Sequence, residues 1–206
     1  MSYTNLRIST LNCNGLLEKK DLIFKSLGVR PHGKLLSQHP DILLVQQTHL
    51  KESDIEGIKD EWKAHGGKHS FFAKGYTNIL TKGGVGILLG SRNVFSNIKK
   101  PKILKEGRVL RLDLDICKVP FTILSVYAPN KGKIEFFQEF EDMVKIPTPN
   151  HVICGGDWNC VEDVLLDRTN ENAKCDPGID ILINFMKSRS LVDPFRHRHP
   201  EKNNLH

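Results

Sequence analysis

The chain has 206 residues, enough for one substantial domain and short for two. Its 39% hydrophobic and 26% charged residues, with a mean hydropathy of -0.34, describe a soluble globular protein and exclude disordered and membrane-spanning classes. A net charge of +6 and a pI near 9.0 favour a polyanionic partner, without saying which.

Leu6, Ile8 and Thr10 alternate with polar residues before Leu11-Asn12-Cys13-Asn14-Gly15, which reads as a strand running into a polar turn. Asn-Gly is turn chemistry in its own right. Residues 19–27 read as a helix carrying Leu22, Ile23 and Leu27, and Leu35 with Leu36 resumes a helix after Gly28, Pro31 and Gly33. Ile42 to Val45 is a short apolar run suited to a buried strand, and it ends in Gln46-Gln47-Thr48-His49. A helix over 53–62 follows, with Asp54 and Glu56 near its favoured N-terminal end.

Residues 70–73 and 85–89 read as strands joined by a glycine-containing loop. The lysines 99, 100, 102 and 105 around Pro101 read as a solvated loop in preference to a phosphate grip. Leu110, Leu112, Leu114 and Ile116 alternate strictly with Arg111, Asp113 and Asp115, the pattern of a half-exposed strand. Phe121 to Val126 reads as a central strand closing on Tyr127-Ala128-Pro129-Asn130. Ile134, Phe137, Phe140 and Val144 then mark an amphipathic helix.

His151 to Cys154 reads as a buried strand leading into Gly155-Gly156-Asp157-Trp158-Asn159. Ligands collect beyond the carboxyl ends of strands, and the two glycines let backbone approach a ligand closely. If extended backbone persists, Asp157 and Asn159 point the same way, setting an anionic oxygen beside a carboxamide for a hydrated cation or a phosphate. The same letters suit an ordinary turn. Further on, Asp167-Arg168-Thr169 reads as a loop, and Asp176-Pro177 as the cap and first turn of a helix carrying Ile179, Leu182, Ile183 and Met186. Leu191-Val192-Asp193 begins a strand or loop. Residues 196–206 read as a polar, exposed tail, its histidines more at home at a solvated terminus than around a metal.

Five cysteines, at 13, 117, 154, 160 and 175, show no C-x-x-C spacing, so neither a disulfide framework nor a zinc site is expected, and a reducing, intracellular compartment fits. The N-terminus lacks the pattern of a signal peptide, and no membrane contact is expected.

Four strands thus end in a carboxamide, carboxylate or phenol. Together, Leu11-Asn12-Cys13-Asn14-Gly15-Leu16, Leu44-Val45-Gln46-Gln47-Thr48-His49-Leu50, Gly84-Val85-Gly86-Ile87-Leu88, Ser125-Val126-Tyr127-Ala128-Pro129-Asn130 and Gly155-Gly156-Asp157-Trp158-Asn159-Cys160 resemble the endonuclease/exonuclease/phosphatase superfamily. Leu165-Leu166-Asp167-Arg168 and Leu191-Val192-Asp193-Pro194-Phe195-Arg196 fall in the same order. The likeness is to the exonuclease III and apurinic endonuclease kind, and most to the endonuclease domain of non-LTR (LINE-type) retrotransposon polyproteins. It implies an α/β fold of two mixed sheets packed as a sandwich and flanked by helices, the DNase I-like four-layer fold, here over 1–195. It also implies a Mg²⁺-dependent site, Mn²⁺ being an alternative, and DNA as partner. The chain is then a monomer or part of a longer reverse-transcriptase polyprotein, working in the nucleus.

By that resemblance Asn12 and Asn14 stand near the metal and the scissile phosphate, Tyr127 hydrogen-bonds the phosphate and Asn130 supports its loop. Asp157 orients or deprotonates the attacking water, and Asn159 stabilises the phosphorane. Arg168 joins the substrate-binding set. The family's principal metal ligand is a Glu where this chain has Gln47, so metal affinity is expected to fall. The family's later Arg/Lys-Ile-Asp and Ser-Asp-His strands have no counterpart here, and the sequence reads as a truncated copy with impaired activity. Two readings stay open beside the nuclease: a non-catalytic remnant that binds nucleic acid weakly, and, less favoured, a lipid phosphatase on the same fold.

Overall fold

The computed structural model describes residues 5–27, 40–75, 82–167 and 174–200. The chain falls into two compact units: Met1–Tyr127 with Ile146–Asp157, and Ala128–Lys145 with Trp158–His206.

In the first unit, β1 (Ile8–Asn12) is followed by α1 (Leu16–Leu27), β2 (Ile42–Gln46), a 3-10 turn at Glu52–Asp54, α2 (Ile55–Ala64), β3 (His69–Ala73) and β4 (Val85–Leu89). The strand order is β1-β2-β4-β3, with β1 parallel to β2 and the other pairs antiparallel. β2 is buried throughout because it has apolar neighbours on both faces. Leu43 and Val45 pack with Leu16, Phe24, Ile58 and Trp62 of the helices. Ile42 and Leu44 face the second sheet. An alternating pattern would have left one face wet, and its absence from this run is what marks a two-sided strand. The indole of Trp62 donates to the Leu89 carbonyl at 3.1 Å, pinning α2 to the end of β4.

The second sheet holds β5 (Phe95–Ser96), β6 (Lys102–Lys105), β7 (Val109–Ile116), β8 (Val119–Tyr127) and β9 (His151–Asp157). Its order is β5-β7-β8-β9, with β6 also on β7; only β8 and β9 run parallel. Leu110, Leu112, Leu114 and Ile116 of β7 turn inward onto Ile42, Leu44, Ile87 and Leu89 of the first sheet. Two mixed sheets therefore pack face to face, with β2 against β8 and β9, and β4 against β7 and β8. Polar groups also bridge this interior: the Ser125 hydroxyl donates to the Val45 carbonyl at 3.3 Å and lies 3.4 Å from the Gln46 amide.

The outer face of β7 is not the wet face its alternation suggests. Arg111 is only 5% exposed. Asp113 satisfies it with paired contacts of 2.8 to 3.1 Å, and Asp113 in turn accepts from Thr122 at 2.7 Å. Part of the expected lysine loop is strand β6, an edge segment bulged between Ile103 and Lys105, with Lys99, Lys100 and Lys102 exposed. Lysine, proline and a bulge are common devices for keeping an edge from pairing with another chain.

The second unit contains α3 (Lys133–Val144), α4 (Val164–Asp167), α5 (Ile179–Ser188) and α6 (Pro194–Arg198). α3 packs on α5 through Phe140 and Phe185, whose rings meet edge-on at 5.2 Å. Phe136 is buried and Ile134 is 43% exposed, so the face of α3 sits to one side of the expected stripe. Asp176 does not cap α5; the cap is Gly178 at φ +80. The Asp176 carboxylate is instead buried, accepting from Lys133 Nζ at 2.8 Å and from Val161 N–H at 3.0 Å.

The expected polar tail begins as folded structure. Asp193 caps α6 by accepting from the N–H groups of Phe195 and Arg196, at 2.7 and 3.1 Å, and the Arg196 guanidinium pairs with Asp167 of α4. The resumed helix at Leu35 and Leu36 and the end of the tail lie outside the described residues. No helix among those described is long and apolar enough to cross a membrane.

Candidate functional site

Both parallel pairs in the first unit deliver two strand ends to one place, because parallel strands finish at the same edge. β1 and β2 end at Asn12 and Gln46, which face each other in register; β8 and β9 end at Tyr127 and Asp157, which do the same. The sheets are then joined across their carboxyl ends by two side-chain bonds. Asn12 Nδ2 donates to Asp157 Oδ2 at 2.7 Å, and Gln47 Nε2 donates to the Tyr127 phenol at 3.0 Å. The Asn12 side-chain oxygen accepts from the Asn14 N–H at 3.1 Å, which orients the carboxamide toward Asp157.

The backbone around these groups is strained in a localised way. Asn14, Gln47 and His49 take φ of +43, +51 and +55. A non-glycine residue in this region costs about 1 kcal/mol or more, and such residues gather where geometry is held for a purpose. The 47–49 segment is held by Thr48 and His49 N–H groups donating to Gly84 and Gly83 carbonyls, at 3.1 and 3.0 Å. Gly84 has to be glycine: its φ is +88, and a Cβ there would lie 2.3 Å from Thr48 Oγ1. Gly156 is more constrained still, with φ +155 and a virtual Cβ 1.9 Å from the Val126 carbonyl oxygen. β9 can therefore lie beside β8 and bring Asp157 level with Tyr127.

Among the described residues two cations border the site, and neither stood out in the sequence. The Arg108 guanidinium stacks over the Tyr127 ring at 4.6 Å and donates to the Tyr127 carbonyl at 3.3 Å. Its only signal was its place just before β7, where antiparallel pairing puts it next to the end of β8. Lys19 donates to the Cys13 and Asn14 carbonyls, both at 2.9 Å, and so clasps the turn after β1. Burial, then the charge of Lys19, lowers the His49 pKa below its ordinary 6.5 and favours the neutral ring. The Cys13 thiol is pushed up to about 12 by burial, which leaves it a packing group.

Of the expected site residues, Asn12, Asn14, Gln47, Tyr127 and Asp157 come together in the first unit. Asn130 and Asn159 belong to the second. Asn130 is exposed on the loop before α3. The extended backbone that would have aimed Asn159 alongside Asp157 does not continue: β9 stops at Asp157, Asn159 has φ +51, and its amide donates to the Ala128 carbonyl at 2.7 Å. Lys133 Nζ donates to the Asn159 carbonyl. Arg168 lies outside the described residues.

The donors at the strand ends do not suit a resident divalent cation. They comprise one carboxylate, Asp157, which already accepts from Asn12, and the carboxamides of Asn12 and Gln47, the latter turning its N–H toward Tyr127. A hard cation is held through anionic oxygens. Among the described residues no group of three or more His, Cys, Asp or Glu side chains gathers in a way that could hold a metal.

No family model matches the chain. Among solved structures it is similar to an AP endonuclease from Archaeoglobus fulgidus, at TM-score 0.69 and 16% identity, covering 97% of this chain and 76% of that one. An AP endonuclease from Leishmania major matches at TM-score 0.70 and 15% identity, covering 98% and 71%. A 3' phosphatase from Neisseria, bound to a product DNA hairpin, matches at TM-score 0.67 and 19% identity, covering 96% and 76%. At these identities the likeness is one of fold: two mixed sheets with flanking helices, the DNase I-like arrangement.

Proposed function

We propose that this chain is a DNA phosphodiesterase-type domain, a nicking endonuclease of the retrotransposon kind by ancestry, whose cleavage is impaired by Gln47. The observation that carries it is the meeting of Asn12, Gln47, Tyr127 and Asp157 at the carboxyl ends of the two parallel strand pairs. The fold shared with AP endonucleases and with a phosphatase bound to DNA supports the reaction class and the partner. The ordered motifs, Asn-Cys-Asn-Gly through Gly-Gly-Asp-Trp-Asn, support the ancestry.

In this reading Tyr127 and Asn12 offer hydrogen-bond donors to the phosphate, and Asp157, fixed by Asn12, orients water for in-line attack. The family this chain resembles carries a metal-holding Glu where this chain has Gln47. Here the amide offers a neutral oxygen in place of an anionic one, and turnover falls.

Nicking of supercoiled plasmid by the 206-residue chain tests this, in Mg²⁺ and in Mn²⁺, with Asp157→Ala as control and DNA binding measured in parallel. DNA binding without Asp157-dependent nicking is the expected result. Efficient nicking that vanishes in Asp157→Ala would overturn the impairment, and absence of DNA binding under all conditions would overturn the partner. A purely binding role is favoured by the Gln47–Tyr127 bond, which commits the amide N–H at this position to the phenol.

A further inference from the structure

We propose that the edge of the second sheet carries a lysine track, Lys99, Lys100 and Lys102, that grips the phosphate backbone of DNA flanking the site at the strand ends. The proposal rests on the reading above in taking DNA as partner. It goes further in giving the chain a second contact with that partner, outside the groups gathered at the strand ends.

The backbone places the track. β7 starts where β8 ends: Val109 faces Val126 in register, and the Tyr127 N–H donates to the Arg108 carbonyl at 2.7 Å. β6 runs antiparallel to β7 and so leads toward that end, with Lys105 level with Val109 and Lys102 level with Arg111. The Lys99 N–H donates to the Asp113 carbonyl at 2.9 Å, one step further from the site. Arg111 and Asp113 are two residues apart on their strand, about 7 Å. Lys102 and Lys99 are spaced by a similar length, over which one strand of a duplex advances by about two phosphates. Each lysine thus meets a phosphate of its own.

The segment is not the loose loop that solvated lysines favour. Phe95 and Ile98 pack against the core between the sheets, Pro101 is half-buried, and β6 is paired on β7. Lys99, Lys100 and Lys102 are exposed on this held backbone, and none of the three side chains forms an ion pair among the described residues. The carboxylates of the same edge are engaged elsewhere: Asp113 with Arg111 and Thr122, Asp115 with Asn97, and Glu106 with Lys74. Guarding the edge against another chain accounts for Lys102, which lies on β6, whereas Lys99 and Lys100 precede the strand. Ammonium groups on an ordered backbone meet a polyanion without first having to order the chain that carries them, and each phosphate they neutralise releases counterion.

The test is fluorescence anisotropy of a short fluorescein-labelled DNA duplex with the full chain, titrated at several salt concentrations. The triple variant Lys99→Gln, Lys100→Gln, Lys102→Gln is expected to weaken binding about tenfold or more at low salt and to reduce the slope of log affinity against log salt by about 2 to 3, near one unit for each lost phosphate contact. Arginine at the same three positions keeps the charge and should stay within about threefold of wild type. Three exposed lysines elsewhere, removed as Lys25→Gln, Lys118→Asn and Lys187→Gln, make the same change in net charge and should cost less than about threefold, with the slope unchanged. Thermal melts establish folding, and the double variant Lys99→Gln, Lys100→Gln, which leaves β6 untouched, should by itself reduce the slope by about 1 to 2.

Binding that the glutamine triple retains, or loses no more than the control triple does, would overturn the proposal and leave the proposed function standing. Absence of wild-type binding at every salt concentration would overturn it together with the DNA partner itself.

Discussion

Replacing Asp176 by alanine is expected to destabilise the second unit by about 3 to 4 kcal/mol. The carboxylate is 8% exposed and its partner Lys133 is 10% exposed at the side chain, so the pair is largely shielded from water. Removing one member of such a pair costs about 3 to 5 kcal/mol because the remaining charge keeps its desolvation penalty. The Val161 N–H also loses its acceptor, about 1 kcal/mol more, while the Asn159 carbonyl still receives Lys133 and returns part of the loss. Replacing both residues, as Lys133→Met with Asp176→Leu, should cost less than the single change, since no charge is left buried.

The two tryptophans make this measurable. Trp62 is in the first unit, and Trp158 is in the second, with ring centroids 6.4 Å from Phe137 and 5.6 Å from Phe140. In a Trp62→Phe background, urea unfolding followed by Trp158 fluorescence should show the Asp176→Ala midpoint lowered by about 1.5 to 2 M, taking m near 2 kcal/mol per M. A loss below about 1 kcal/mol, or a double variant as unstable as the single, would refute the view that an unpaired buried lysine dominates.

Gly156→Ala should cost more than about 3 kcal/mol, since its Cβ would lie 1.9 Å from the Val126 carbonyl oxygen and the φ of +155 is strained for alanine; a thermal melt within a few degrees of wild type would contradict the register described for β8 and β9. Stability should also fall on acidification. Burial, with the charge of Lys19 at His49 and of Lys68 and Lys63 at His69, lowers both folded pKa values below 6.5, so the unfolded chain takes up protons first. Their contribution is complete above about pH 6.5 and is lost as pH falls through the folded values. Urea midpoints between pH 7.5 and 5 should decline less steeply for the His49→Gln, His69→Gln variant, and an unchanged slope would count against this origin.

What could be read in advance follows from how far each feature depends on its neighbours in sequence. β2 and β8 are two-sided apolar strands, and their composition alone marks them. The polar strand ends at Asn12, Gln47, Tyr127 and Asp157 stood out for the same reason, each breaking an apolar run. Asp-Pro occurs at both 176 and 193, and the two behave differently. At 193 the side chain caps α6; at 176 the following Gly178 takes the left-handed conformation and caps α5, leaving the carboxylate to a lysine 43 positions away. Arg108 was invisible because its role arises from antiparallel pairing across β7 and β8. Arg111 and Asp113 misled because two charges two apart on one strand face can satisfy each other and be buried as a pair. The extended backbone on which the Asn159 orientation depended stops at Asp157, two residues short of it.

The two bonds that tie the site across the sheets join residues far apart in the chain: Asn12 and Asp157 are 145 positions apart, Gln47 and Tyr127 are 80. Closing spans of that length is entropically late, after hairpins such as β7–β8 and helices such as α2 have formed from local contacts. During synthesis no site can exist until residue 157 has emerged, and an intermediate holding only one of the two sheets has none of its geometry. The converse holds at equilibrium. A ligand that bridges Asn12, Tyr127 and Asp157 binds a conformation in which both sheets are docked, so its binding free energy is added to the global stability of the first unit and not to that of a loop.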